Sequence, residues 1–91
     1  MNLNNSVIIK GNKYGIVVVL DKNVSFEQLR EDLIDKFKSA SKFFDKASMA
    51  ISFEGRKLSV EEEQQILNLI AENSDLNIVC VIDNDEMREK Y

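Results

Sequence analysis

Tyr14-Gly-Ile-Val-Val-Val-Leu20, followed four residues later by Ser25-Phe-Glu-Gln-Leu-Arg-Glu-Asp-Leu33, decides the fold. From Ile16 to Val19 every side chain is β-branched and apolar, and Leu20 extends the run. A short run of this kind reads as a strand, and apolarity at every position places it inside a sheet covered on both faces, away from the edge. Asp21-Lys-Asn-Val24 is a connector. Ser25 then opens a helix, because its hydroxyl can accept from the backbone of the first turn while Gln28 reaches back, a capping box. Val24 and Leu29 stand where a hydrophobic staple places them. Phe26, Leu29, Leu33, Ile34 and Phe37 recur at helical spacing, with Glu27, Arg30, Glu31 and Asp35 on the other side, so the helix is expected to run to about Ser39.

Outward from this strand–helix pair, residues 6–10 (Ser-Val-Ile-Ile-Lys) read as a first strand, and Gly11-Asn-Lys13 supplies the turn of a β-hairpin. Residues 41–48 have no clean period. Phe43 and Phe44 both call for a dry environment, which predicts a tight connector or helical turn packed on the core. Residues 49–53 (Met-Ala-Ile-Ser-Phe) alternate as a third strand, Glu54-Gly-Arg56 is a turn, and Lys57-Leu58 can add a short ladder. Ser59 opens a second helix with an S-x-x-E box to Glu62, and Glu61, Glu62 and Glu63 lie in the first turn, where the macrodipole favours acids. Ile66, Leu67, Leu69 and Ile70 form its buried stripe, Asn73 is its stop, and residues 76–82 are the last strand. The order β-β-α-β-(β)-α-β implies a single small α/β domain over residues 1–82, with a mixed sheet and two helices joined by right-handed crossovers. Residues 83–91 are polar and mostly charged, and read as the start of a linker that frays or begins a solvated helix.

The chain has 91 residues, a net charge of −4, one cysteine and no histidine. That size is one domain near the lower end of what buries a working core without disulfides or metal. The acidic balance argues against nucleic acid as a partner, since phosphate contacts need clustered positive charge. No apolar run approaches the length of a bilayer, and the first six residues lack the pattern of a secretory signal, so neither membrane insertion nor export is expected and the cytoplasm is the expected compartment. Missing histidine removes the commonest general base and the commonest metal ligand together. No cofactor or catalytic residue is therefore expected, and the chain reads as a domain that grips another protein.

The remaining motifs fit that reading. Gly11-Asn-Lys-Tyr-Gly15 resembles a phosphate loop only superficially, because a strand follows it where a phosphate loop opens a helix. The acidic runs Glu31-Asp32 and Glu61-Glu62-Glu63 are solvated helix faces, since neighbouring residues on a helix point apart. Cys80 lies in a strand-like run and is read as a small buried hydrophobe. Ser59 is either a plain N-cap or a phosphorylation switch at a helix start. Charge is uneven: residues 1–24 hold Lys10, Lys13 and Lys22 against Asp21, a balance of +2, which leaves −6 on the rest. The first hairpin is thus a basic edge on an acidic body, either lysine protection of an exposed strand or a docking edge for an acidic partner. Two helices can cover the sheet only if one takes each face or part of one face stays open.

Val7-Ile-Ile-Lys-Gly-Asn-Lys-Tyr-Gly15, Ser25-Phe-Glu-Gln-Leu-Arg-Glu-Asp-Leu33, Phe53-Glu-Gly-Arg-Lys-Leu-Ser59 and Ile78-Val-Cys-Val-Ile82 together resemble the N-terminal domain of the septum site-determining protein MinC in its Gram-positive, clostridial form. The resemblance covers residues 6–83 in order and without a large gap. It implies a cell division inhibitor domain that binds the tubulin-like protein FtsZ and antagonises its polymers, so that no septum forms away from mid-cell. It also implies a second domain, a β-helix that dimerises and binds the ATPase MinD. That domain is absent from this sequence, so MinD would be reached only through it. The isolated domain is then expected to be monomeric and the full-length protein a homodimer. Lys10 and Lys13, with Tyr14 as an aromatic anchor, match the family's first strand and turn and are the expected FtsZ contacts.

Two other protein-interaction modules share parts of the pattern. A ubiquitin-like β-grasp domain has the opening hairpin and following helix, but only a short turn where Ser59 begins a helix of over three turns. A STAS-type regulatory domain would use Ser59 as its switch.

Overall fold

The structure is a computed structural model that describes residues 6–13, 15–83 and 86–89. Val7–Gly11 (β1) and Gly15–Leu20 (β2) form the antiparallel hairpin, followed by the helix Phe26–Phe44 (α1) and the strand Ser48–Glu54 (β3). The helix Val60–Asn73 (α2) leads to the strand Asn77–Asp83 (β4), and Glu86–Glu89 (β5) closes the order. The strands lie in one mixed sheet in chain order, β1-β2-β3-β4-β5, with β2, β3 and β4 parallel and both edge strands antiparallel to their neighbours. The α/β class, the two helices and the mixed sheet are those expected.

The helix α2 starts as its sequence dictates, whereas α1 makes only half of the expected capping box. Ser25 caps it, but the Gln28 side chain turns to Asp32 in place of the Ser25 backbone. Ser25 Oγ accepts from Gln28 N at 3.0 Å. Ser59 completes a full capping box, accepting at Oγ from Glu62 N and donating its own N–H to Glu62 Oε1, both at 3.1 Å. The helix α1 continues past Ser39 to Phe44, because Phe44 renews the stripe set by Leu33 and Phe37 and stacks on Phe37 with ring centroids 5.9 Å apart. Asp45, at φ 51°, then stops it.

Two adjacent right-handed crossovers that advance in one direction lay their helices on the same side of a sheet, and α1 packs against α2 here. Leu29, Leu33 and Phe37 of α1 and Ile66, Leu67 and Ile70 of α2 share one core with the inward residues of the strands. Those are Val7 of β1, Ile16, Val18 and Leu20 of β2, Ile51 of β3, and Ile78 and Val81 of β4. Alternation sends Ile8, Lys10, Val17, Val19 and Ser52 to the other face, which neither α1 nor α2 covers. The apolar run in β2 is therefore interior to the sheet, as expected, yet covered by helices on one face only. Cys80, in register with Ala50, is free and buried on that second face.

Three local expectations change. The ladder at Lys57-Leu58 does not form, because Gly55 turns the chain away and Leu58 packs against the core instead. The segment after Asp83, expected to fray or start a solvated helix, contributes β5, since β4 would otherwise end the sheet with its backbone groups unpaired. Phe43 does not find a dry place, as described below.

Long-range polar ties fix the hairpin and the turns. Ser6 Oγ donates to Asp32, a carboxylate only 6% exposed, and Gln28 Nε2 donates to its other oxygen at 3.0 Å, joining the start of β1 to α1. At the same end of the sheet, where Asp21 N donates to the Ser6 carbonyl at 2.9 Å, Arg56 Nη1 donates to the carbonyl oxygens of Asp21 (3.2 Å) and Val24 (2.8 Å). Its guanidinium also lies 5.9 Å from the centroid of the Phe26 ring. Gly55 makes that approach feasible: at φ 88° a side chain is strained, and a Cβ there would come within 2.4 Å of the Leu20 carbonyl oxygen.

Replacing Gly55 by Ala is expected to cost more than about 1 kcal/mol, read as a lower urea midpoint with an unchanged slope. Asp32→Ala leaves Ser6 and Gln28 without their buried acceptor and is expected to cost about 1–3 kcal/mol in the same assay. A midpoint within error of the parent's would remove either residue from the set that holds the fold.

Candidate functional site

The hairpin turn is closed by its own residues. Asn12 N donates to the Gly15 carbonyl at 2.9 Å, and Asn12 Oδ1 accepts from Gly15 N at 2.8 Å. Gly15 begins β2 hard against β3, where a Cβ would stand 2.2 Å from the Ala50 carbonyl oxygen. Gly11 is a different case, with nothing within 4 Å of a Cβ built on it. Gly15 thus lets β2 close on β3, and Gly11 leaves a hollow at the turn end of the sheet.

That hollow is an apolar cleft of about 390 Å³. Gly11 and Gly15 bound it on the hairpin side, Ala40 and Phe43 on the side of α1, and Ile9, Ile16, Phe44 and Met49 complete its lining. Phe43 and Phe44 meet edge to face, with centroids 5.6 Å apart, but their surroundings are opposite. Phe44 is 4% exposed and caps the core, whereas Phe43 is 84% exposed at the lip of the cleft. The expectation that both pack dry is thus corrected. Neighbours on a helix diverge by about 100° in direction, so only one of the two can follow the stripe of Leu33 and Phe37.

The cleft has a basic rim. Lys36, Ala40 and Phe43 follow one another at spacings of four and three, so they share one stripe of α1, and Lys36 is only partly exposed. Lys13 sits in the turn between the two cleft glycines and is exposed. Lys10 is also exposed, but its register opposite Val17 sets it on the uncovered face of β1, beside Ile8. Tyr14 lies outside the described residues. Lys13 therefore flanks the cleft at the hairpin turn and Lys36 on the side of the helix, while Lys10 lies on the opposite face of the sheet. Lys38 and Ser41 turn the other way, toward a polar hollow with Glu72 to Asp75 at the end of α2.

This arrangement is suited to docking. An apolar hollow with a solvated aromatic ring beside it takes up a large apolar side chain, and surrounding cations favour a partner whose own rim is acidic. Among the described residues, no group of three His, Cys, Asp or Glu side chains is placed to hold a metal ion. Lys36, Ala40 and Phe43 were not among the residues that composition and hairpin charge single out. Continuing the α1 stripe past Ser39 is the signal that finds them.

The chain matches the family model described as "Cell-division inhibitor MinC, N-terminal domain-like" over residues 7–81. It is 60% identical over 90 residues to a probable septum site-determining protein MinC of Lachnospira eligens, an alignment covering 98% of this chain and 37% of that protein. A protein of the same description from Agathobacter rectalis is 45% identical over 87 residues (96% of this chain, 36% of that protein). One from Fusobacterium nucleatum is 39% identical over 74 residues (81% and 34%). The chain thus spans about a third of the length of these curated relatives. No solved structure matches it.

The two adjacent phenylalanines give a direct check of the site's construction. Phe44→Ala is expected to cost about 3–5 kcal/mol in chemical denaturation, and Phe43→Ala less than about 0.5 kcal/mol. Equal losses would mean that Phe43 is a core residue after all.

Proposed function

The chain belongs to the family of MinC N-terminal domains, and from that premise we propose that it binds FtsZ and antagonises FtsZ polymers, as the inhibitory domain of a division-site regulator. The observation that carries the reading beyond family membership is the 84% exposed Phe43 beside an apolar cleft at the basic hairpin. Exposing a phenylalanine in water is unfavourable, and covering it on binding recovers about 1.5–3 kcal/mol. Lys10, Lys13 and Lys36 draw in an acidic surface, and Phe43 with the cleft supplies the apolar anchor. Tyr14, at the turn, is proposed as a second aromatic contact.

The action is binding without catalysis, so the proposal includes no cofactor and no reaction, and no nucleic acid as partner. Among the described residues no helix is long and apolar enough to cross a membrane, and the proposed compartment is the cytoplasm. In this proposal the chain beyond β5 leads toward a second domain that dimerises the full-length protein and meets MinD, while this domain, with β5 in its sheet, acts as a monomer when isolated. A ubiquitin-like or STAS-type module is the weaker reading. The 14-residue α2 is longer than a β-grasp turn, and the Ser59 hydroxyl is engaged as a helix cap.

Sedimentation of GTP-assembled FtsZ with and without the domain tests the reading. A fall in pelleted polymer, or shorter filaments by electron microscopy, is the expected result. Unchanged polymer mass, length and stiffness at saturating domain would overturn it.

Substitution then tests the surface. Lys10→Glu is expected to weaken inhibition with an unchanged circular dichroism spectrum, and full activity would take the Lys10 edge out of the contact. Phe43→Ala, which leaves the fold intact, is expected to raise the concentration needed for half inhibition about tenfold or more, the loss of one anchor residue. Inhibition at the parent's concentration would remove the cleft from the site.

A further inference from the structure

We draw no further inference here: the strongest candidate, the uncovered face of the five-stranded sheet where Ile8, Val17, Val19, Ala50 and Cys80 lie, is an unpartnered apolar face with nothing in the structure to show what covers it.

Discussion

The handedness of the two crossover connections governs nearly everything else in this molecule. A strand feeding a helix that returns to a parallel neighbour does so right-handedly, because the twist of the strand lets the helix pack back only that way. Here β2 passes through α1 to β3, and β3 through α2 to β4, each step advancing in the same direction across the sheet. Both helices must then lie on one side. One face of the sheet joins the core and the other is left without a helical layer, although β2 is apolar at every position from Ile16 to Leu20.

The same topology places the candidate site. The hairpin turn precedes β2, so it marks the end of the sheet where β2 begins. Because β3 is parallel to β2, it begins at that end too, and α1 has to bring the chain back there. The last turn of α1, with Ala40, Phe43 and Phe44, is therefore delivered to the hairpin turn by connectivity alone. Glycine at position 11 keeps the meeting place hollow, and glycine at position 15 lets β2 lie close against β3. The opposite end is held differently: Arg56 bonds two carbonyl groups of the β2–α1 connector, and Gly55 lets the backbone come close enough for it to do so. One end of the domain is locked by polar ties, and the other presents apolar surface and lysine.

The division of labour between Phe43 and Phe44 follows from the stability that each can supply. Phe44 stacks on Phe37 and closes the core, so α1 gains from running five residues beyond Ser39. Phe43 is carried along by that extension into water. An aromatic residue held exposed by its buried neighbour is kept out of the core by geometry and stays available to a partner. The tie from Ser6 to Asp32 belongs to the polar end, joining the start of β1 to α1 at the same end of the sheet as the Arg56 contacts.

Element type and order were legible in the sequence because they rest on short-range physics. Two serine caps, two helical stripes and four apolar strand runs each depend on residues a few positions apart, and the structure places them within a few residues of expectation. The basic character of the first hairpin was also readable, since charge needs only counting. The bounds that failed were those set by distant contacts. The end of α1 depends on Phe44 reaching Phe37 and the sheet core, and β5 exists because β4 offers it a backbone edge. Which face of the sheet stays uncovered, and that Ala40 and Phe43 meet Gly11 and Gly15 across some 25–32 residues of chain, are decided by the connectivity and handedness of the crossovers. That is a property of how whole elements pack, and no local pattern of residues carries it.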